Sequence, residues 1–355
     1  MKVANTNSLP VSVSLGASLL MEVVMSVALP TLRVGDPVRY QSLSVFPLFS
    51  DGNGGVEYRL ADEALADESV AVEEVDESGS VPDLLVENKG DIRVLFLEGE
   101  ELIGAKQNRI LNTSVLVAAH TKTKIPVSCV EQGRWGYRSR YFGSSGSHSS
   151  PSMRRVVKSS VSRAIRAKRG HSSDQGAVWK EVASLHATHG VSSDTSAMSD
   201  AYDMHRGRIE EYQERLKYVD GATGAAVAIG NKIVAFDVFD KPATCEKVWS
   251  RMLSGVVFDV VEAGESDEVA TAADVEQFLG AVPKLSWEEA EAVGEGIEDA
   301  LAVVLDPPAQ ARSGQFLQGQ HRVLFGARHE RLNIGKAGKI GRQVLDDHLL
   351  QVGDF

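Results

Sequence analysis

The hydrophobic period of this chain changes once, near residue 150, and that change sets its fold class. Between residues 36 and 130 apolar side chains come in short alternating or continuous runs, at 43–47, 70–75, 84–87, 93–97, 115–119 and 125–130, punctuated by Gly, Asp and Asn. Runs of that length and period form strands. Their spacing predicts an antiparallel sandwich or barrel, with 121–124 as the polar turn between the last two strands. Residues 62–66 have the length of one helical turn.

Beyond residue 150, Val157, Val161, Ala164 and Ile165 recur at helical spacing, with Arg155, Lys158, Arg166 and Arg169 on the opposite side. This predicts a basic amphipathic helix over 154–169, followed by helices over 175–189 and 196–216. Two apolar runs, 225–229 and 232–236, flank Gly230-Asn231 and predict a hairpin. Helices over 244–261 and 272–279 follow, joined by an acidic loop at 262–268. The expected fold is therefore α+β: an antiparallel β-sandwich-like N-terminal portion packed with a helical segment and a small C-terminal αβ portion. The expected divisions fall at 1–28 (an extension preceding a later start at Met21 or Met25), 29–142, 143–220, 221–305 and 306–355.

Function is expected between Glu98 and Arg140, where polar groups crowd the end of the apolar run Val94-Leu95-Phe96-Leu97. Glu100, Glu101 and Glu131 are the candidate acids or bases, since carboxylates near one another and near a dry wall acquire separated pKa values. Lys106, Arg109, Arg134, Arg138 and Arg140 can hold phosphate, the arginines in two-point geometry. Gln107, Asn108 and Gln132 donate and accept, as ribose hydroxyls or a base edge require. Trp135 and Tyr137 offer stacking faces. Magnesium is the expected cofactor if a carboxylate and a diphosphate share an ion.

Other readings fit the same residues. Glu98, Glu100 and Glu101 also suit an edge strand that carries charge against aggregation, and Lys106 and Arg109 suit partners for them in an internal ion network. His120, Cys129, Glu131 and His148 contain zinc-ligand types at spacings that match no familiar pattern. Cys129 paired with His120 across the 121–124 turn would make a nucleophile, against the commoner role of a buried free cysteine. The run 143–148 lacks the Gly-Lys-Ser or Gly-Lys-Thr ending of a phosphate loop and reads as a flexible segment able to close, with the basic helix, over a ligand.

From Arg134 to Ser173 there are ten Lys or Arg and no Asp or Glu, so a chain of net charge −12 carries −22 elsewhere. One uninterrupted basic segment favours a polyanion or pairs with the acidic remainder. A phosphorylated small molecule is the expected partner, and RNA, DNA or an acidic protein the alternative, bound by 134–169 without catalysis. Oligomeric state is not legible. Two widely separated cysteines give no disulfide framework and point to the cytoplasm. The apolar stretch 11–29 is interrupted by Glu22 and serines, which opposes a membrane span.

The run GEELIGAKQNRILNTSVLVAAHTKTKIPVSCVEQGRW, followed in order by SDQGAVW at 173–179, SSDTSAMSDAY at 192–202 and AIGNKIVAFDVFD at 228–240, resembles the domain family named for its association with ADP-ribosylglycohydrolases and rhodanese-phosphatases, over about residues 29–300. The resemblance implies a connection with ADP-ribose or related nucleotide metabolism and adds Gln175, Thr195 and Ser196 as secondary site candidates. The region from Ala309 to Phe355 departs from the ending the family leads one to expect.

Overall fold

The computed structural model describes residues 30–301, apart from 52–54, 77–81, 265 and 285–286, together with strands Gln320–Leu324 and His348–Val352. The extension 1–28, and the 306–355 segment other than those two strands, lie outside the described residues. The fold is α+β, with sheets that are mostly antiparallel.

In chain order the elements are β1 (Leu32–Val34), β2 (Val38–Tyr40), β3 (Leu43–Ser50), β4 (Tyr58–Leu60), α1 (Ala61–Ala66), β5 (Val70–Glu74), β6 (Asp83–Asn88), β7 (Arg93–Phe96), β8 (Glu100–Gly104), β9 (Arg109–Leu111), β10 (Val115–Val117), β11 (Lys122–Cys129) and β12 (Phe142–His148). There follow α2 (Pro151–Arg166), α3 (Gln175–His189), α4 (Met198–Met204), α5 (Arg206–Arg215), β13 (Gly224–Ile229), β14 (Lys232–Val238), α6 (Pro242–Ala263), α7 (Ala272–Ala281), β15 (Trp287–Glu291), β16 (Ile297–Leu301), β17 (Gln320–Leu324) and β18 (His348–Val352).

One sheet runs β1-β3-β13-β14-β17-β18-β16-β15, with β2 also on β3; a second runs β12-β8-β9-β11-β6-β5; a short third runs β10-β7-β4. The hairpin read from Gly230-Asn231 is β13–β14, turned through Gly230 at φ 58°. β13 also pairs with β3, Val227 opposite Val45. One face of this sheet packs on the helices through Val45, Val227, Ala235 and the apolar face of α6. Its other face, with Phe46, Ala228 and Phe236, is closed by Val275 and Phe278 of α7. A separate core of Val72, Val86, Phe96, Leu102, Leu111 and Ile125 fills the space among α1 and the two smaller sheets.

Helix ends follow local chemistry. Ser150 accepts from the Met153 amide and Pro151 occupies the first turn of α2, while Asp174 caps α3 and Gly190, left-handed at φ 65°, ends it. The helix expected over 196–216 is two, because His205, at φ −101°, ends α4 and opens α5.

Two strand-level expectations are corrected. Residues 122–124 are not a turn: they begin β11, which pairs with β6, Lys122 opposite Glu87, while β10 pairs with β7. The flexible loop read at 143–148 is β12, an ordered partner of β8. Small residues suit it because α6 approaches closely. A Cβ on Gly255 would lie 2.5 Å from the carbonyl oxygens of both His148 and Ser149. Among the described residues no helix is long and apolar enough to cross a membrane.

Candidate functional site

Strand alternation separates the three clustered carboxylates. Glu98, Glu100 and Glu101 are all buried, which removes the reading of an exposed charged edge. Glu98 precedes β8 and meets two buried cations, Arg154 Nε at 3.3 Å and Lys158 Nζ at 3.6 Å. Arg154 also grips Asp237 with both guanidinium arms, at 2.9 and 2.6 Å. Glu100 accepts from the Leu97 amide at 2.9 Å and lies 2.9 Å from Arg251, which reaches Asp62 at 2.8 Å. Two of the basic residues of 134–169 are thus internal counter-charges; the expected exposed face at Lys158 is not there.

Glu101 points the other way. Its side of β8 also carries Ile103, and both line a cavity of about 350 Å³. Opposite it, the β8–β12 register jumps: Ser144 faces Leu102 and His148 faces Glu100, so Ser145, Gly146 and Ser147 together oppose Glu101. This is a β-bulge, a common device beside functional sites. Gly146 at φ 73° supplies the left-handed turn it requires, and all three bulge residues line the cavity.

The far wall comes from one face of each short helix: Ser199, Asp200, Tyr202 and Asp203 of α4, and Arg206, Ile209, Glu210 and Gln213 of α5, at spacings of three and four. Neither Glu101 oxygen makes a well-formed hydrogen bond. Burial raises its pKa to about 8; the Ser145 hydroxyl moderates this, and the charges of Glu131, Asp203 and Asp200 add to it. At neutral pH Glu101 is therefore a protonated acid facing a polar space.

Glu131, buried at the end of β11, organises the adjoining wall. It accepts from Arg134 Nε at 2.8 Å and Nη2 at 2.6 Å, from the Asn108 amide at 3.0 Å and from Thr195 Oγ1 at 2.9 Å. Burial opposes ionisation here, but Arg134, the Asn108 amide and Thr195 more than offset it, and the pKa falls below the usual carboxylate value. Arg134 also donates to the carbonyls of Ala105, Gly136 and Gly104 and to Asn108 Oδ1. Its donors tie the loop together instead of facing a ligand. Gln107 donates to the Glu131 carbonyl at 2.8 Å and accepts from Arg109 at 3.1 Å. Arg109, fully buried, lies 3.8 Å from Glu74, not from the Glu98–Glu101 group.

Asn108 bridges the two regions, donating to Ser199 at 3.2 Å and lining the cavity. Arg138 lines it as well. Lys106 Nζ lies 5.3 Å from the Trp135 ring and 5.1 Å from that of Tyr137, a cation–π stack that sets both rings at the surface, 50% and 55% exposed. Gln132 and Arg140 are exposed.

The remaining candidates are dispersed. His120 is exposed beside Asp91, whereas Cys129 is buried at the far end of β11, more than about 20 Å along the strand. No Cys–His pair forms, and burial raises the thiol pKa to about 11. His148, buried, has Nδ1 3.3 Å from the Ser149 carbonyl. Gln175 clips the Cys129 backbone from both sides at 2.8 Å. Ser196 holds a left-handed turn at φ 53°. The zinc set His120, Cys129, Glu131 and His148 is therefore not assembled. Among the described residues no group of three or more His, Cys, Asp or Glu side chains is placed to hold a metal ion.

Of the candidates read from sequence, Glu101, Asn108 and Arg138 meet at the cavity, while Glu100, Glu131, Arg109 and Arg134 belong to internal networks. The bulge hydroxyls, Asp203, Arg206 and Gln213 were not foreseen. The signal for the three helical residues was the three-and-four spacing of polar residues at 199–213, which reads equally as a solvated helix face.

The fold and this cavity define an α+β protein with a polar recess of ligand size, walled by a bulged strand and two short helices. The chain belongs to the family described as the ARG and Rhodanese-Phosphatase-superfamily-associated Protein domain, whose model matches residues 31–323. The match runs to residue 323, past the residue 300 or so to which the motifs carry the resemblance. No curated protein and no solved structure matches the chain. The family name associates it with ADP-ribosylglycohydrolase and rhodanese-phosphatase systems.

Proposed function

We propose that the protein binds and processes an ADP-ribose-like, phosphorylated nucleotide ligand in the Glu101 cavity, with Glu101 as the proton-transferring group. The observation that carries this reading is a fully buried carboxyl with no well-formed hydrogen bond, its pKa raised to about 8, at the wall of a polar cavity. Perturbed carboxyls in clefts are enriched at functional sites, and an acid protonated at neutral pH can protonate a leaving oxygen. Ser145, Ser147, Ser199 and Gln213 offer the paired donors and acceptors that sugar hydroxyls need. Arg138 and Arg206 supply positive charge for phosphate. The family's association with ADP-ribosylglycohydrolases agrees with this class of ligand.

The test is a thermal-shift titration with ADP-ribose on the wild type and Glu101→Gln, followed by a turnover assay of ADP-ribosyl conjugates across pH. Stabilisation of the wild type, with turnover lost in Glu101→Gln and falling above about pH 8, supports the reading. A melting temperature unmoved by millimolar ADP-ribose sinks it.

A non-enzymatic polyanion-binding role for 134–169 keeps one supporting observation: Trp135, Tyr137 and Tyr141 are exposed beside Arg138 and Arg140. Arg154 and Lys158 are buried in ion pairs and cannot contribute. Binding of single-stranded RNA that weakens steeply with salt and ignores Glu101→Gln would favour this role.

A further inference from the structure

We propose that the Glu101 cavity and the groove beside it are two halves of one cleft, joined at Arg138, which takes an elongated nucleoside diphosphate bearing a second sugar: that sugar in the cavity, the base against Tyr137. The inference rests on the functional reading of the Glu101 cavity given above and extends it to a second subsite.

Arg138 lines both recesses. The cavity, at about 350 Å³, is at the small end for ligand pockets and suits a sugar phosphate better than two sugars, a diphosphate and a base. Beyond Arg138 lies a broader, more open groove of about 870 Å³, walled by Tyr137, Ser139 and Arg140 on one side and Glu73 and Asp76 on the other. Each part of the ligand finds its chemistry there. Tyr137, 55% exposed and propped from beneath by Lys106, presents a rigid aromatic face to a base. The carboxylates opposite accept hydrogen bonds from an exocyclic amine.

Between the two ends, Arg138 Nη2 is 3.7 Å from Glu131 Oε1, beyond hydrogen-bond reach, and its side chain is 61% exposed. It can therefore turn its fork to a diphosphate. The acidic groups of both recesses disfavour a long polyanion along the cleft. They tolerate a ligand whose phosphates lie together at one basic point.

Isothermal titration of the full chain with ADP-ribose, AMP and ribose 5-phosphate tests the proposal, using the wild type, Glu101→Gln, Arg138→Ala, Tyr137→Ala and Tyr137→Phe. The expected result is that Tyr137→Ala weakens ADP-ribose and AMP about tenfold, as loss of a base–aromatic stack does, leaves ribose 5-phosphate unchanged, and is rescued by Tyr137→Phe. Arg138→Ala should weaken all three. If ADP-ribose and ribose 5-phosphate bind the wild type with similar affinity and Tyr137→Ala has no effect on either, the joined cleft is overturned while the cavity keeps its assignment. If no probe binds the wild type, both are overturned.

Discussion

Replacing Glu101 by Gln tests the central electrostatic claim without any ligand. Gln keeps the size and hydrogen-bonding shape of a protonated carboxyl and cannot ionise. In the wild type the folded pKa is about 8, raised first by burial, against about 4.5 for the free side chain. Below pH 4.5 the group is neutral in both folded and unfolded chains and does not affect stability. Between 4.5 and 8 the unfolded chain has released the proton and the folded one has not, so stability falls as pH rises, by about 1.4 kcal/mol per unit. Above 8 both are ionised and the loss is complete, about 5 kcal/mol over the window and about 3 kcal/mol by pH 7. The assay is urea unfolding of both proteins at pH 5, 6, 7, 8 and 9. Groups that do not act on Glu101, such as Asp259 with a pKa raised by burial to about 6, cancel in the difference between the two proteins. Glu101→Gln should gain on the wild type steadily from pH 5 to 8 and then level off. A stability difference that does not change with pH would refute the assignment of a protonated, buried acid.

Three further outcomes follow from the packing. Arg134→Lys loses the fork that joins Glu131 to three carbonyls, and should cost about 2–4 kcal/mol in denaturant unfolding, more than a charge-conserving change at an exposed site. Arg154→Leu removes the guanidinium that neutralises Asp237 and half of the positive charge facing Glu98, which keeps Lys158, and should cost about 3–5 kcal/mol, much of it recovered when Asp237→Asn is added. Cys129, fully buried with its thiol pKa raised by burial to about 11, should resist a thiol reagent at pH 8 in the native protein and react fully in denaturant, with the modified fraction read by mass spectrometry.

Much of the scaffold was legible because period and punctuation are local. The α3 boundaries follow from Asp174 and Gly190, and β13–β14 from two apolar runs about Gly230-Asn231. Pairing was not local: nothing near 121–124 reveals that β11 leaves β10 for β6 and β9. The site was legible as composition and not as geometry. Glu98, Glu100 and Glu101 are indistinguishable in sequence, and only the direction each takes at β8, with Arg154 and Arg251 waiting on one side and the cavity on the other, assigns two of them to ion pairs and one to the cavity wall. β12 was missed because Gly and Ser carry no strand signal, although the same residues form the bulge.

The pairing of β3 with β13 has a kinetic consequence. Val45 and Val227 are neighbours in the sheet, so a chain being synthesised cannot close this part of its central sheet until the second strand has been made. Every residue between them is threaded first into a loop whose closure is entropically unfavourable, and topologies dominated by such distant pairings fold slowly. During that interval β3, with Leu43, Val45, Phe46 and Leu48 all destined for the interior, has only the short strands β1 and β2 beside it and leaves its other edge open. The newborn protein is therefore most exposed to aggregation, and most in need of a chaperone, before β13 has emerged.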